Sequence, residues 1–234
     1  MTKLRISGLV FSAIMSGAVV LPNECRAGGI IQSLPADGSW IVFKAKSEFD
    51  FNGNLQSFDR ELKVASVGKQ DVNGEPGRWI ELTTEFAGRP VVAKLLIAEK
   101  YLKADQNPFE HVSKAWARGR EGEVIELKDD RLRQIMIFAL GVPNFDKPEK
   151  KGKEKIKTEL GEFECERLAG TAELVGPMET KVSFTGELWT QEKVPFGLLK
   201  AKVKGDLGGI GSIETELSAI KSGTDAKSEL PDSK

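Results

Sequence analysis

From Ser39 onward the chain alternates apolar and polar residues with a period of two, stretch after stretch, and this pattern confines it to antiparallel sheet. Ile41, Phe43, Ala45, Phe49 and Phe51 fall on one side, and Lys44, Lys46, Glu48 and Asp50 on the other, as in a strand with one dry and one wet face. Asn52-Gly53-Asn54 follows, a turn in which positive φ costs little. Phe58, Leu62 and Val64 then alternate with Asp59, Glu61 and Lys63. Past a turn-rich connector over 70–77, Ile80, Leu82, Thr84 and Phe86 oppose Glu81, Thr83 and Glu85. Three amphipathic strands joined by short turns predict a meander.

The pattern changes in the middle of the chain. Val91 to Ile97 is more continuously apolar and fits a better buried strand or a short helix. Asn107-Pro108 has the form of an N-cap followed by proline at the first helical position. Phe109, Val112, Ala115 and Trp116 recur at helical spacing before Gly119. Gly122 to Leu127 reads as a brief extended piece. A second helix is expected from Asp129 or Asp130, with Leu132, Ile135, Met136 and Ala139 as its stripe and Gly141 and Pro143 ending it. Residues 146–157 hold six lysines among three acids. They fit an anionic-surface contact or, more simply, a solvated hairpin loop running into an edge strand, where lysine blocks strand-to-strand aggregation.

Alternation then returns. Phe163 and Cys165 oppose Glu164 and Glu166, and Val182, Phe184 and Leu188 oppose Lys181, Ser183 and Glu187. Leu199, Ala201 and Val203 oppose Lys200, Lys202 and Lys204, and Ile213, Thr215, Leu217 and Ala219 form a last strand. Cys165 is thereby placed on an inward face, as a small hydrophobe. Trp40, Trp79, Trp116 and Trp189 sit on or beside the wet faces, where they rim a cleft or fill packing. The polar stretch 222–234 is expected to be disordered.

The start of the chain reads as an address. Lys3 and Arg5 precede an uncharged stretch, Ile6 to Leu21, which Pro22 ends. Cys25-Arg26-Ala27 supplies small residues at −3 and −1 of a cut before Gly28, the architecture of a secretory signal peptide. The stretch is short of the roughly 20 apolar residues that span a bilayer and is interrupted by serines and glycines. The residues before Cys25, Pro22-Asn23-Glu24, lack the aliphatic-then-small pattern of a lipobox. The expected organisation is a signal peptide over 1–27, a linker over 28–38, one β-rich domain over 39–221 and a tail over 222–234. No transmembrane segment is expected after cleavage, and the mature chain is expected to be periplasmic or secreted.

Most chemistries lack their residues. The formal net charge of −1 gives no basic excess to release counterions from nucleic acid. His111 is the single histidine, and without Cys25 only Cys165 remains, which closes no internal disulfide. No Gly-x-Ser-x-Gly elbow, metal-ligand cluster or calcium loop is present, so no cofactor and no metal are expected. The run Gly205 to Gly211 lacks the Gly-Lys-Ser/Thr of a phosphate-binding loop and leads into a strand. Carboxylates are abundant, so paired-carboxylate hydrolysis stays open, with no pair selected.

Three stretches carry a resemblance. Thr158-Glu159-Leu160-Gly161-Glu162-Phe163-Glu164-Cys165, then Gly186-Glu187-Leu188-Trp189, then Lys193-Val194-Pro195-Phe196-Gly197-Leu198-Leu199-Lys200 resemble the LolA/LolB-like superfamily of exported bacterial proteins, chiefly over 154–204. The resemblance implies a mainly β (α+β) fold: a curved antiparallel sheet, an incomplete barrel with two short helices on its concave face, which can hold acyl chains. On this reading the protein is non-enzymatic and binds a hydrophobic or lipid-like ligand, with Phe43, Phe49, Leu82, Phe86, Val182 and Phe184 lining the core or pocket. The alternatives are an envelope structural or protein-interaction module without a ligand, and a carboxylate-dependent hydrolase. The protein partner is left unknown.

Overall fold

The structure, a computed structural model, describes residues 29–86, 88–104, 106–118, 122–128, 142–175, 181–207 and 211–230. Within them the alternation becomes β1 (Trp40–Phe51), β2 (Asn54–Val72), β3 (Glu75–Phe86), β4 (Arg89–Ala98), β5 (Val112–Arg118), β6 (Val124–Glu126), β7 (Asp146–Thr158), β8 (Gly161–Val175), β9 (Lys181–Thr190), β10 (Leu198–Asp206) and β11 (Ser212–Gly223). All belong to one antiparallel sheet in the order β6-β5-β4-β3-β2-β1-β11-β10-β9-β8-β7. The chain builds one wing outward from β1 to β6, restarts at the far edge with β7, and returns until β11 pairs with β1. The end strands β6 and β7 are not neighbours in this order, so the sheet is not closed into a barrel.

Turn chemistry sets the register of the first wing. Asn52 and Gly53 (φ 52° and 86°) and Asn73 and Gly74 (φ 54° and 86°) form the two-residue turns that match strand twist. The carboxylates of Asp50 and Asp71 accept the N–H of Gly53 and Gly74, each at 2.8 Å. The connector expected over 70–77 shrinks to Asn73-Gly74, because β2 and β3 stay paired to Val72↔Glu75.

That register gathers the apolar rows on one inner face. Phe43 lies beside Leu62 and Ala219, Ala45 beside Leu217, and Leu217 beside Ala201. Pieces outside the strands complete this core: Ile30 and Ile31, Val142 and Phe145, Val194 and Phe196 are all buried in the same cluster. Gln32 and Ser33 donate their N–H groups to the Phe196 carbonyl at 2.7 and 3.2 Å. Phe145 packs over Gly170 and Gly186, where a Cβ would fall 2.7 Å and 2.9 Å from its atoms. Residues 29–33, expected within a linker, are therefore core, because Ile30-Ile31 offers two large apolar side chains to a face that the strands alone leave uncovered.

The expected helices are corrected as well. Residues 108–111 form only a 3-10 turn, in which Asn107 accepts the Phe109 N–H, and 112–118 is strand β5. Ala115 and Ala117 fit either periodicity; pairing with Leu95 and Ala93 of β4 decides for the strand, since it buries both alanines and satisfies the backbone. A second short 3-10 turn spans Glu99–Tyr101, and no α-helix occurs among the described residues. The second expected helix and the leader fall outside the described residues. The lysine-rich stretch 146–157 belongs to edge strand β7 itself, where Lys150, Lys153 and Lys155 pair with Glu166, Glu164 and Glu162 of β8.

The outer face carries all four tryptophans. Trp40, Trp79, Trp116 and Trp189 pair in register with Ala65, Leu96, Lys94 and Lys200, positions on the side opposite Phe43 and Leu82. Trp79 and Trp116 lie 5.0 Å apart with the Lys94 ammonium 5.2 Å from Trp79, and Arg167 and Lys200 flank Trp189. Cys165 is buried, as expected, but it belongs to the row of Arg167 and Trp189, not to that of Leu168 and Leu188. Residues 225–230, expected to be disordered, cross this face. Asp225 accepts from Trp40, and Glu229 meets Lys63, Thr83 and the buried Glu81. Leu230 is buried at their end.

Candidate functional site

The inner face is filled over most of its area and left open at one end. Transverse rows, read from register, show where the change occurs. Phe43 shares a row with Leu62 and Thr84, and Leu82 lies one row on, between Val64 and Ala93. Both are buried in the packed core. In the opposite direction the rows run Arg60–Ala45–Leu217–Ala201–Leu188, then Phe58–Ser47–Thr215–Val203–Gly186, then Phe49–Ile213–Gly205–Phe184–Ala172. Pairing of β2 with β3 begins only at Leu62↔Thr84, so among the described strands the tip of the β1–β2 hairpin has no pairing partner on the β2 side.

The inner side of this tip is aromatic. Phe49 stacks on Phe51 with ring centroids 5.9 Å apart and meets Phe58 edge-on at 5.7 Å. Phe51 and Phe58 nevertheless remain 40% and 50% exposed, which is unusual for a contiguous apolar cluster in a soluble protein. Phe184 of β9 shares the row of Phe49 but is buried in the core cluster. A Cβ at Gly205 would meet its ring at 2.6 Å and Ile213 at 2.8 Å, so the missing side chain at 205 lets Phe184 lie beside Ile213. Val182 follows two residues along the same side of β9, half-buried and packed against the core.

Beneath the aromatics lies a polar step. Ser47 and Thr215 hydroxyls share a hydrogen bond of 3.1 Å in a buried position. Arg60 sits one row deeper than Phe58, and its buried Nε has no hydrogen-bond partner. Burial pushes the guanidinium pKa down.

Of the six residues singled out in sequence, Phe43, Leu82 and Phe184 belong to the filled core and Val182 packs against it; Phe49, half-buried, is the one that joins the aromatic cluster of the hairpin. Phe86 ends β3 opposite Arg89, and its side chain is not described. Sequence reasoning passed over Arg60, Phe51 and Phe58 as site residues. The signal for Arg60 was present: it occupies the apolar side of β2, between Phe58 and Leu62, where the alternation calls for an apolar residue.

Two hollows lie elsewhere. An open depression of about 500 Å³ is lined by Asp146, Glu149, Thr171, Thr185 and Glu187, among others. Two of its three acids are engaged with cations: Lys151 pairs with Glu149 and holds that carboxyl below its usual range, and Arg167 pairs with Glu187. A smaller hollow of about 100 Å³ adjoins Asn107, Asn144 and Glu173. Neither is lined by Phe49, Phe51 or Phe58. Among the described residues no three His, Cys, Asp or Glu side chains converge to hold a metal ion, and no helix is long and apolar enough to cross a membrane.

No family model and no curated protein matches this chain. Solved structures do. A candidate exported protein with a YMCC-like fold from Bacteroides fragilis is 10% identical with a TM-score of 0.39, over 82% of this chain and 99% of that one. A DUF1329 family protein from Desulfovibrio piger is 10% identical with a TM-score of 0.35, over 84% and 89%. A candidate outer membrane lipoprotein-sorting protein domain from Vibrio parahaemolyticus is 10% identical with a TM-score of 0.31, over 83% and 88%. At such scores the likeness transfers no residue role to this chain.

Proposed function

We propose that this is an exported, non-enzymatic protein that holds a hydrophobic or lipid-like ligand against the open end of its β-sheet. The observation that carries the reading is the aromatic cluster on the inner side of the β1–β2 hairpin, in which Phe51 and Phe58 stay 40% and 50% exposed beside the half-buried Phe49. Each methylene of an alkyl chain removed from water there contributes about 0.8 kcal/mol, so a dozen supply enough to retain a chain against the entropic cost of binding. The basic start, uncharged stretch and Cys25-Arg26-Ala27 cut of the leader support export.

Native mass spectrometry of the detergent-free exported protein, with solvent extraction and an uptake assay using a fluorescent fatty acid, tests this. The expected result is a bound alkyl species or saturable uptake, reduced when Phe49 and Phe58 are both changed to serine. A bare mass together with no uptake supports the alternative, an envelope module whose aromatic end contacts a protein.

A further inference from the structure

We propose that Arg60 receives the anionic head of a single-chain amphiphile whose tail lies along Phe58, Phe49 and Phe51. This rests on the ligand reading above and adds the chemical class of the ligand and its orientation, head inward. The argument starts from the place of the charge. Arg60 stands in an inner row whose other members are Ala45, Leu217, Ala201 and Leu188, and the last three are fully buried. The inner positions flanking it on β1 and β2 are Phe43, Ser47, Phe58 and Leu62, none of them a carboxylate. Its guanidinium forms no ion pair among the described residues, and its Nε–H is buried without an acceptor.

Arg60 as a whole is half-buried, but its enclosed Nε–H without an acceptor is costly to the free protein, and buried polar groups in folded proteins are met as a rule. Here two hydroxyls, Ser47 and Thr215, lie one row away toward the mouth, and each can turn to donate. A carboxylate or phosphate head supplies the acceptors that the row lacks, and a guanidinium binds such heads through paired N–H groups. From Arg60 the inner side of the hairpin leads outward to Phe58, then Phe49, then Phe51, so the polar and apolar parts of one amphiphile meet matching surfaces in sequence. A neutral alkyl chain satisfies only the second part.

The test uses the full mature chain and a neutral probe, N-phenyl-1-naphthylamine, displaced by dodecanoate or by dodecanol below their aggregation concentrations. The wild type is expected to release probe at a dodecanoate concentration about tenfold below that for dodecanol, the effect of one charge-assisted contact. Arg60→Gln is expected to remove the preference while still binding probe, and Arg60→Lys to restore part of it. Equal displacement by acid and alcohol in the wild type overturns the proposal and leaves the pocket standing. Absence of probe binding overturns the pocket and this assignment together. Sedimentation with anionic vesicles in preference to free dodecanoate, lost in Arg60→Gln, assigns the arginine to a membrane surface and likewise overturns it.

Discussion

The carboxylate of Glu81 in β3 accepts the backbone N–H of Glu229, at 2.9 Å to one oxygen and 3.1 Å to the other, joining residues 148 apart in sequence. Ser228 donates its hydroxyl to the same carboxylate at 2.8 Å and Leu230 its N–H at 3.3 Å. Glu81 lies opposite Lys94 in register and is 2% exposed. A buried acid is thus met by the segment that crosses over it, and Arg118 of β5 fixes the same segment through the Glu229 carbonyl at 2.8 Å. The segment straps β1, β2, β3 and β5 from outside.

Glu81→Ala is expected to lower stability by about 1–3 kcal/mol, since it leaves three donors of the strap without their acceptor. Removing residues 224–230 should cost more, since it also deletes the contacts with Trp40, Lys63 and Arg118 and the burial of Leu230, and the two changes together should cost less than their sum, because the Glu81 contacts are common to both. Thermal melts of the three variants check this; full additivity would show that the strap and Glu81 are independent.

Gly186→Ala is expected to destabilise by about 1–3 kcal/mol. Its Cβ would lie 2.4 Å from the Lys202 carbonyl oxygen and 2.9 Å from the Phe145 ring, so backbone and a core aromatic would both have to move. Urea unfolding measures the loss. A midpoint unchanged from wild type would contradict the packing of Phe145 against β8 and β9.

Cys165 should resist alkylation in the folded protein. Burial, and then the charge of Glu154, push its thiol pKa up, and the thiolate is the reactive form. Iodoacetamide labelling at mildly alkaline pH is expected to be negligible until denaturant is added. Labelling at the rate of a free thiol in the native state would contradict its placement.

How far these features could be read in the sequence follows from their range. The strands with clean alternation, the face on which Phe43 and Leu82 lie and the Asn52-Gly53 turn depend on neighbours one or two residues away, so period and turn chemistry were sufficient; Cys165 is buried as expected, but on the side of Arg167 and Trp189 and not on the inward face its alternation assigned. Strand β5 was mistaken for a helix because Val112, Ala115 and Trp116 satisfy a 3.6-residue period, while its pairing with β4 is a property of the sheet. The strap and the Ile30-Ile31 piece depend on partners more than a hundred residues away, Glu81 for one and Phe196 for the other, and polar or short segments carry no periodic signal of such docking. At the site, Phe49 and Phe184 were legible as inward residues. That they share a row, and that the hairpin carrying Phe49 outruns β3, required the register.

The central claim is that the aromatic end of the inner face is a binding surface and not merely exposed packing. Titration of the wild type and of Phe58→Asp with N-phenyl-1-naphthylamine tests it most directly. Phe58 is half exposed and packs edge-on against Phe49, so the change should lower stability by about 1–2 kcal/mol. The account predicts saturable binding by the wild type and affinity at least about tenfold weaker in Phe58→Asp, with an unchanged circular dichroism spectrum. No saturable binding by the wild type, or equal binding by both proteins, would contradict it.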